Sequence, residues 1–441
     1  MPSSLLLLIA GAAHASTGGA ADSVGQRAVV ALLLVVGAAY LLAHAVVDWL
    51  QRRFLVVSGA EYILLGVGLG LLAGEALDIS GLAPILSLAA GWVGLIYGME
   101  LNLKRLIFVD DGALRLAVFA GLGSGLLVAV ATHFALSSGW IAGVDPERTW
   151  LAASALGCAS AAGSSSAIEL VSARYGLKTG IIATLRRSAG FGDLVSILVF
   201  GLLFCVYRPV TDAGAAWSLT ASGWAWVTLG LGTGLGVLFT VFLGDDDSEN
   251  GRFLALVGII CFASGAAFFL DLSLLTVNLI LGIVLANSAK DGAAVARTLS
   301  STRRPMSLLL LLFAGLLWRP PWVGDVTALT LLPAVALTLG VVVLRTTGKL
   351  FGAWVGSIGT ELRRDLGRGL LAQGDEALAM AIAMRLVFDN VEGANIEIRL
   401  AYTAILGSVV VHELLAPRLL KTLLVDAAEL RTDAVFSVRE A

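Results

Sequence analysis

The strongest constraint on this chain is a repeated one: apolar runs close to 20 residues long recur from one end to the other. A run of about 20 apolar residues, wound as a helix, crosses a hydrocarbon core roughly 30 Å thick. No water is available in that core, so every backbone N–H and C=O must find a partner inside the protein. Only helices and closed barrels achieve this. The runs are continuous, with no alternation of apolar and polar residues, so the expected fold is an all-α membrane protein.

Composition agrees. Charged residues make up 14% of the 441 residues, against about 25% in soluble proteins, which leaves too little polar surface to coat a water-soluble globule. The 51 glycines suit close helix packing in lipid. A net charge of −3 gives no sign of a nucleic-acid partner. Cys158, Cys205 and Cys261 each lie within an apolar run, an odd and scattered set that reads as packing residues rather than a disulfide frame or metal site. No cofactor motif is present, and no metal site is expected beyond a transported ion.

About thirteen spans are predicted, near 28–47, 61–77, 82–101, 113–136, 150–171, 179–206, 217–243, 252–270, 273–288, 306–318, 326–355, 367–388 and 397–420. Residues 1–15 form a candidate signal peptide: Leu5 to Ala13 is apolar and Ala13-His14-Ala15 is a cleavage pattern, although Met1 to Ser4 carries no basic residue. A short uncleaved helix is the other reading. Residues 28–424 then make one membrane domain, with 425–441 as a short cytoplasmic tail. Basic residues concentrate in alternate loops: Arg52, Arg53, Lys104, Arg105, Arg303, Arg304, Arg363 and Arg364 fall in one set, while the opposite set holds only Arg27, Arg148, Arg208, Arg319 and Arg399. By the positive-inside rule the amino end is outside and the carboxyl end cytoplasmic, in the plasma (inner) membrane.

Two spans are interrupted by polar residues. One carries Gly163-Ser164-Ser165-Ser166, the other Gln373-Gly374-Asp375-Glu376, and each is flanked by long spans. Matching interruptions in two halves of a membrane chain point to an inverted repeat with a binding site at midplane.

Asp193, in Gly190-Phe191-Gly192-Asp193-Leu194, lies well inside the sixth span. A carboxylate there costs about 2.5–3.5 kcal/mol or more to insert and is a functional candidate by default. Such a group can hold a proton or a cation. Hard cations prefer oxygen ligands, and Ser164, Ser165 and Ser166 offer them. Arg345 and Lys349, one turn apart in the eleventh span, are candidate charge partners in the core. Lys349 is expected rather to snorkel to the cytoplasmic interface. Asp375 and Glu376 are expected either to pair with such a cation or to cap a half-helix. Arg186 and Arg187 are placed at the interface, and Glu100, Glu169 and Arg385 either in a buried pair or at a rim. His44, His133 and His412 read as packing residues.

These segments resemble the cation:proton antiporter superfamily, most nearly its Kef-type potassium/proton branch. Gly98-Met99-Glu100-Leu101 is similar to that branch's G-L-E-L. Ser164-Ser165-Ser166-Ala167-Ile168 is similar to its S-S-T-A-I, and Leu281-Gly282-Ile283-Val284-Leu285-Ala286-Asn287-Ser288 to its A-G-x-x-L-A-x-S. Gly192-Asp193 stands where relatives read Q-D, D-D or N-D, and Gln373-Gly374-Asp375-Glu376 where many read P-R-G-E. The matches run from about 60 to 420. The resemblance implies thirteen helices in inverted repeats with two crossed, broken helices, and a core formed by about 113–206 and 326–420. It also implies a homodimer and exchange of Na⁺ or K⁺ for H⁺ by alternating access, with Asp193 as carrier and Arg345 near the site. Gating by a nucleotide-binding tail like that branch's is not expected, since residues 425–441 read as a short tail. With Gly192 in place of a second acid, the expected exchange is one proton for one cation. Two other readings are a non-transporting sensor or assembly partner on the same fold, and an intramembrane aspartyl protease of the G-x-G-D type. The protease lacks its Tyr-Asp partner motif here.

Overall fold

The computed structural model describes residues 59–73, 79–101, 111–141, 143–165, 167–169, 172, 177, 179–208, 219–242, 249–288, 292–321, 331–388 and 396–427. The candidate signal peptide, the span expected near 28–47, Ser166, Lys104 and the tail beyond 427 lie outside them. Two compact units divide the chain, one of residues 1–57 with 78–82 and one of 58–77 with 83–441; apart from the opening of one helix, everything below concerns the second.

Helices account for all the regular structure among the described residues. In order they are α1 (Ala60–Ala73), α2 (Ile79–Glu100), α3 (Asp111–Ser137), α4 (Thr149–Ala161), α5 (Gly180–Val206), α6 (Ala221–Phe242), α7 (Glu249–Phe269), α8 (Leu274–Ser288), α9 (Gly292–Leu316), α10 (Leu331–Gly356), α11 (Asp375–Phe388) and α12 (Ile396–Asp426). Seven of these, α2, α3, α5, α6, α7, α10 and α12, are long and apolar enough to cross a bilayer. The chain is thus a multi-pass helical membrane protein. Helices α4 and α11 are shorter because each is only part of an interrupted span.

In this setting apolar side chains belong outside as well as inside. Trp226 and Val241 on α6, Leu254 and Phe262 on α7, and Leu332 and Leu339 on α10 all point outward. So does Cys261, which is therefore not the packing residue its apolar run implied. What marks the inner face of a helix is small or polar side chains at helical spacing. On α5 the buried stripe runs Leu185, Ser188, Ala189, Gly192, Asp193, Ser196, Ile197 and Phe200. On α10 it runs Leu337, Val341, Arg345, Gly348, Lys349 and Gly352. Positions three and four apart share one face of a helix, so each stripe aims its charges at the same neighbours.

Helices α3, α4, α5, α10, α11 and α12 pack together, and the second group contains α6, α7 and α8 with the pair α1 and α9. Close backbone approach is visible between α2 and α8: a methyl group on Gly98 would lie 2.9 Å from the Cα of Gly282. One turn-widened π segment, Ala117–Leu122, interrupts α3. Such segments recur at functional sites, and this one lies beside Gly192, since a methyl on Gly121 would be 3.8 Å from the Gly192 Cα.

Two spans differ from their expected limits. The tenth was expected to begin at 306, but α9 begins at Gly292 and runs through Pro305, so Arg303 and Arg304 are helical rather than in a loop. A proline costs a helix one hydrogen bond but does not end it when neighbours hold the turn. At the other end, α12 continues to Asp426. Arg368 donates to Asp426 Oδ2 at 2.8 Å, and Arg363 donates to both Asp365 oxygens at 3.0 and 2.9 Å. The Arg363 hydrogen bonds hold the Asp365 carboxyl below the usual carboxylate range.

Candidate functional site

Each interrupted span follows one long helix, α3 or α10, and precedes another, α5 or α12. The first break is residues 162–164, after α4 ends at Ala161; the second is 371–374, between a 3-10 turn (Leu366–Leu370) and α11. Both are therefore slightly earlier than expected. Asp375 and Glu376 are not in the break but form the first turn of α11, where acidic side chains complement exposed N–H groups.

A helix that stops inside a protein leaves carbonyls at one end and N–H groups at the next. Here both sets are capped by charge. Arg345 donates from Nε to Ser160 O (3.1 Å), from Nη1 to Leu371 O (2.7 Å), and from Nη2 to Ala162 O and Ala372 O (both 2.9 Å). Lys349 Nζ donates to Ala161 O (3.0 Å) and Ala162 O (2.8 Å). Lys349 does not snorkel: it is 1% exposed, because its stem stays on the buried face of α10 and its ammonium is needed by those carbonyls.

At the other pole stand the carboxylates. Gly163 N–H donates to Asp193 Oδ1 (2.6 Å), Ser164 N–H to Glu376 Oε1 (3.0 Å) and Ser165 N–H to Asp193 Oδ2 (3.4 Å). Three successive amides thus hold two carboxylates, an arrangement of the anion-binding nest kind. Ser164 makes it possible by adopting φ +38°, in the left-handed region that non-glycine residues rarely occupy. Strain of this kind costs of order 1–3 kcal/mol and clusters at functional sites. Gly374 N–H also donates to Glu376 Oε1 (3.1 Å). A side chain on Gly374 would collide with Ser164 Oγ, so glycine at this position lets the two breaks meet.

Asp193, Glu376 and Arg345 are fully buried. No nitrogen of Arg345 or Lys349 comes within 4.0 Å of an Asp193 or Glu376 oxygen among the described residues. The cations hold carbonyls and the carboxylates hold amides, so negative oxygen remains on the amide side. Ser165 Oγ is buried there with no hydrogen-bond partner among the described residues, an oxygen open to a ligand.

Of the residues singled out from sequence, Asp193, Ser164, Ser165, Arg345, Lys349, Asp375 and Glu376 converge on the two breaks. Glu100 and Glu169 gather instead around Arg303: Arg303 donates to Glu100 and lies 3.9 Å from Glu169, which also faces Arg186 at 3.6 Å. Arg385 is buried over the Tyr402 ring, 5.3 Å from its centroid. His412 is more than packing. Its Nε2 lies 3.1 Å from Thr346 Oγ1, and its Nδ1 3.2 Å from Ser408 Oγ, which donates to Gln373 Oε1 at 2.7 Å. Gln373 in turn donates to Ala159 O at 2.9 Å.

Sequence reading missed Tyr97. Its hydroxyl lies 2.6 Å from Glu376 Oε2 and 3.2 Å from Asp375 Oδ1. The only local signal was its place one residue before the Gly98-Met99-Glu100 segment, in an otherwise apolar helix.

No protein-family model matches the chain, and no curated protein sequence matches it. Solved structures do. The sodium proton antiporter MjNhaP1 from Methanocaldococcus jannaschii at pH 8 superposes with a TM-score of 0.57 and 15% identity, covering 88% of this chain and 97% of that one. An electron-microscopy map of the same antiporter gives 0.54 and 15%, with 90% and 96% covered. With its two interrupted helices abutting in the interior, this chain has the sodium proton antiporter fold.

Proposed function

We propose that the chain is a secondary active antiporter that exchanges a monovalent cation, Na⁺ or K⁺, for protons by alternating access, with Asp193 as carrier. One observation supports this above the others: two carboxylates share three successive amides at the junction of two interrupted helices, beside the unpartnered Ser165 hydroxyl. A carboxylate with fixed donors and a neighbouring hydroxyl can bind a proton or a dehydrated cation, and the two compete for the same oxygens. Ser164 and Ser166 extend the oxygen set in this reading. Arg345 and Lys349 hold the carbonyl ends of the breaks in this reading. Likeness to a sodium proton antiporter supports the same reading at the level of fold.

The test is a proteoliposome with a trapped pH indicator. Addition of Na⁺ or K⁺ is expected to move protons through the wild type, and Asp193→Asn is expected to abolish that flux while the protein remains folded. A mutant with near-normal flux removes Asp193 from the carrier role; a silent, folded wild type favours the sensor or assembly-partner reading.

We further place the protein in the plasma membrane as a homodimer with its amino end outside, on the distribution of Lys and Arg and on family resemblance. Cysteines at 304 and 148, labelled by an impermeant reagent in intact cells, read the orientation: the first is expected to be shielded and the second accessible. Crosslinking in the membrane reads the dimer.

A further inference from the structure

Nothing in the antiporter reading requires more than one carboxylate, and Gly192 stands where relatives with paired aspartates, by the resemblance, carry a second acid before Asp193. The structure supplies another from the opposite interrupted span. Glu376 takes the N–H of Ser164, the amide between the two that Asp193 takes. The two acids therefore grip one strip of backbone from two sides.

Glu376 also has partners suited to both of its protonation states. Its Oε1 accepts from Ser164 and Gly374 N–H. Its Oε2 meets the Tyr97 hydroxyl, which also meets Asp375 Oδ1. A phenol has one hydrogen and two such contacts. When Glu376 is ionised, the Tyr97 hydrogen is donated to Oε2. When Oε2 carries a proton, that proton is donated to the Tyr97 oxygen and the phenolic hydrogen turns to Asp375. With Glu376 protonated both contacts carry a hydrogen; with it ionised the single phenolic hydrogen serves Oε2, the shorter contact, and the Asp375 contact goes without. A group that served only to cap α11 would need the ionised arrangement alone.

Other charges face this acid from several sides. They are Asp193 on α5, Arg345 and Lys349 on α10, Asp375 beside it, and Glu413 on α12 within electrostatic reach of Asp375 and Arg345. Arg303 on α9 lies over the Tyr97 ring, 5.6 Å from its centroid. The two fixed cations balance two ionised acids, and two adjacent carboxylates oppose each other's ionisation unless a cation or protons intervene.

We propose that Glu376 is a second exchanging carboxylate, so that one bound cation displaces two protons, one from Asp193 and one from Glu376. The balance is one positive charge in and two out, which moves one net charge per cycle and replaces the one-for-one exchange expected from Gly192-Asp193 alone. This rests on the antiporter reading.

The test counts protons without requiring transport. The purified full chain is titrated calorimetrically with NaCl and with KCl in two buffers of different ionisation enthalpy, at a pH where the empty site is protonated. Wild type is expected to release close to two protons per cation bound, and Glu376→Gln close to one. Glutamine keeps an acceptor for the two amides, so a capping role alone leaves the count unchanged in that variant. Equal counts in wild type and Glu376→Gln, or a wild-type count of one, overturn the proposal. A wild type that binds neither cation overturns the antiporter reading with it, a distinct result. If Glu376→Gln does not survive purification, Tyr97→Phe carries the test. It removes one charge-assisted donor and is expected to weaken cation binding about tenfold with the count still near two. Unchanged affinity overturns the role given to the phenol and the acid it serves.

Discussion

The two interrupted spans have matching places in the chain, yet they are stabilised differently. The second has neutral and local caps as well as Arg345: Glu376, two residues on, accepts from Gly374 N–H, and Gln373 donates to Ala159 O on α4 while accepting from the Ser408 hydroxyl on α12. The first has no such resources. Its carbonyls depend on Arg345 and Lys349 from α10, and its amides on Asp193 from α5 and Glu376 from α11. Arg345 is common to both breaks. A break with neutral caps beside its charged ones depends less on any single charge. A break capped by charges on three other helices registers any change in those charges. In the proposed exchange the first break, with two carboxylates on its amides, responds more to protonation than the second, which meets only Glu376 at Gly374.

That contrast can be broken by removing one cap from each side. Lys349→Met keeps the side-chain length but deletes two charge-assisted hydrogen bonds, each worth about 1.5–3 kcal/mol. Gln373→Ala deletes two neutral ones, each worth about 0.5–1.5 kcal/mol. Thermal unfolding in detergent is expected to show the larger loss for Lys349→Met. Equal losses, or the reverse order, would mean that the two breaks are stabilised alike.

The smallest effect is expected at Gly192. A methyl group there would meet nothing nearer than Ala161 O at 3.8 Å, an ordinary contact. Space does not require the glycine, and a glycine inside a helix costs about 0.5–1 kcal/mol relative to alanine. Gly192→Ala is expected to leave the melting temperature unchanged or raise it by about 2 °C, with flux retained. A sharp fall in stability would show that the first break tolerates nothing new beside it.

Much of the candidate site was legible in the sequence. Asp193 declared itself because a lone carboxylate in an apolar run is expensive, and the breaks did so because serine, glycine and glutamine interrupt otherwise uniform spans. Other features were not legible, for one physical reason. In lipid, apolar residues lie on both sides of a helix, so apolar periodicity does not say which face is inside. That is why Lys349 was expected at the interface, although the buried stripe of α10 places it in the core with Arg345. It is also why His412 passed as packing and Tyr97 went unnoticed: both lie in spans whose neighbours on every side are apolar.

By itself, then, the sequence determined an all-helical membrane chain, its two interrupted spans and the acid at the centre, since these follow from the cost of exposing backbone or charge to hydrocarbon. Which cation caps which carbonyl, that Glu376 shares a strip of amides with Asp193, and that Tyr97 stands between two acids were decided only in three dimensions. Those contacts join residues up to 279 positions apart, Tyr97 and Glu376 among them. Helix packing sets such pairings, and no local pattern in the chain carries them.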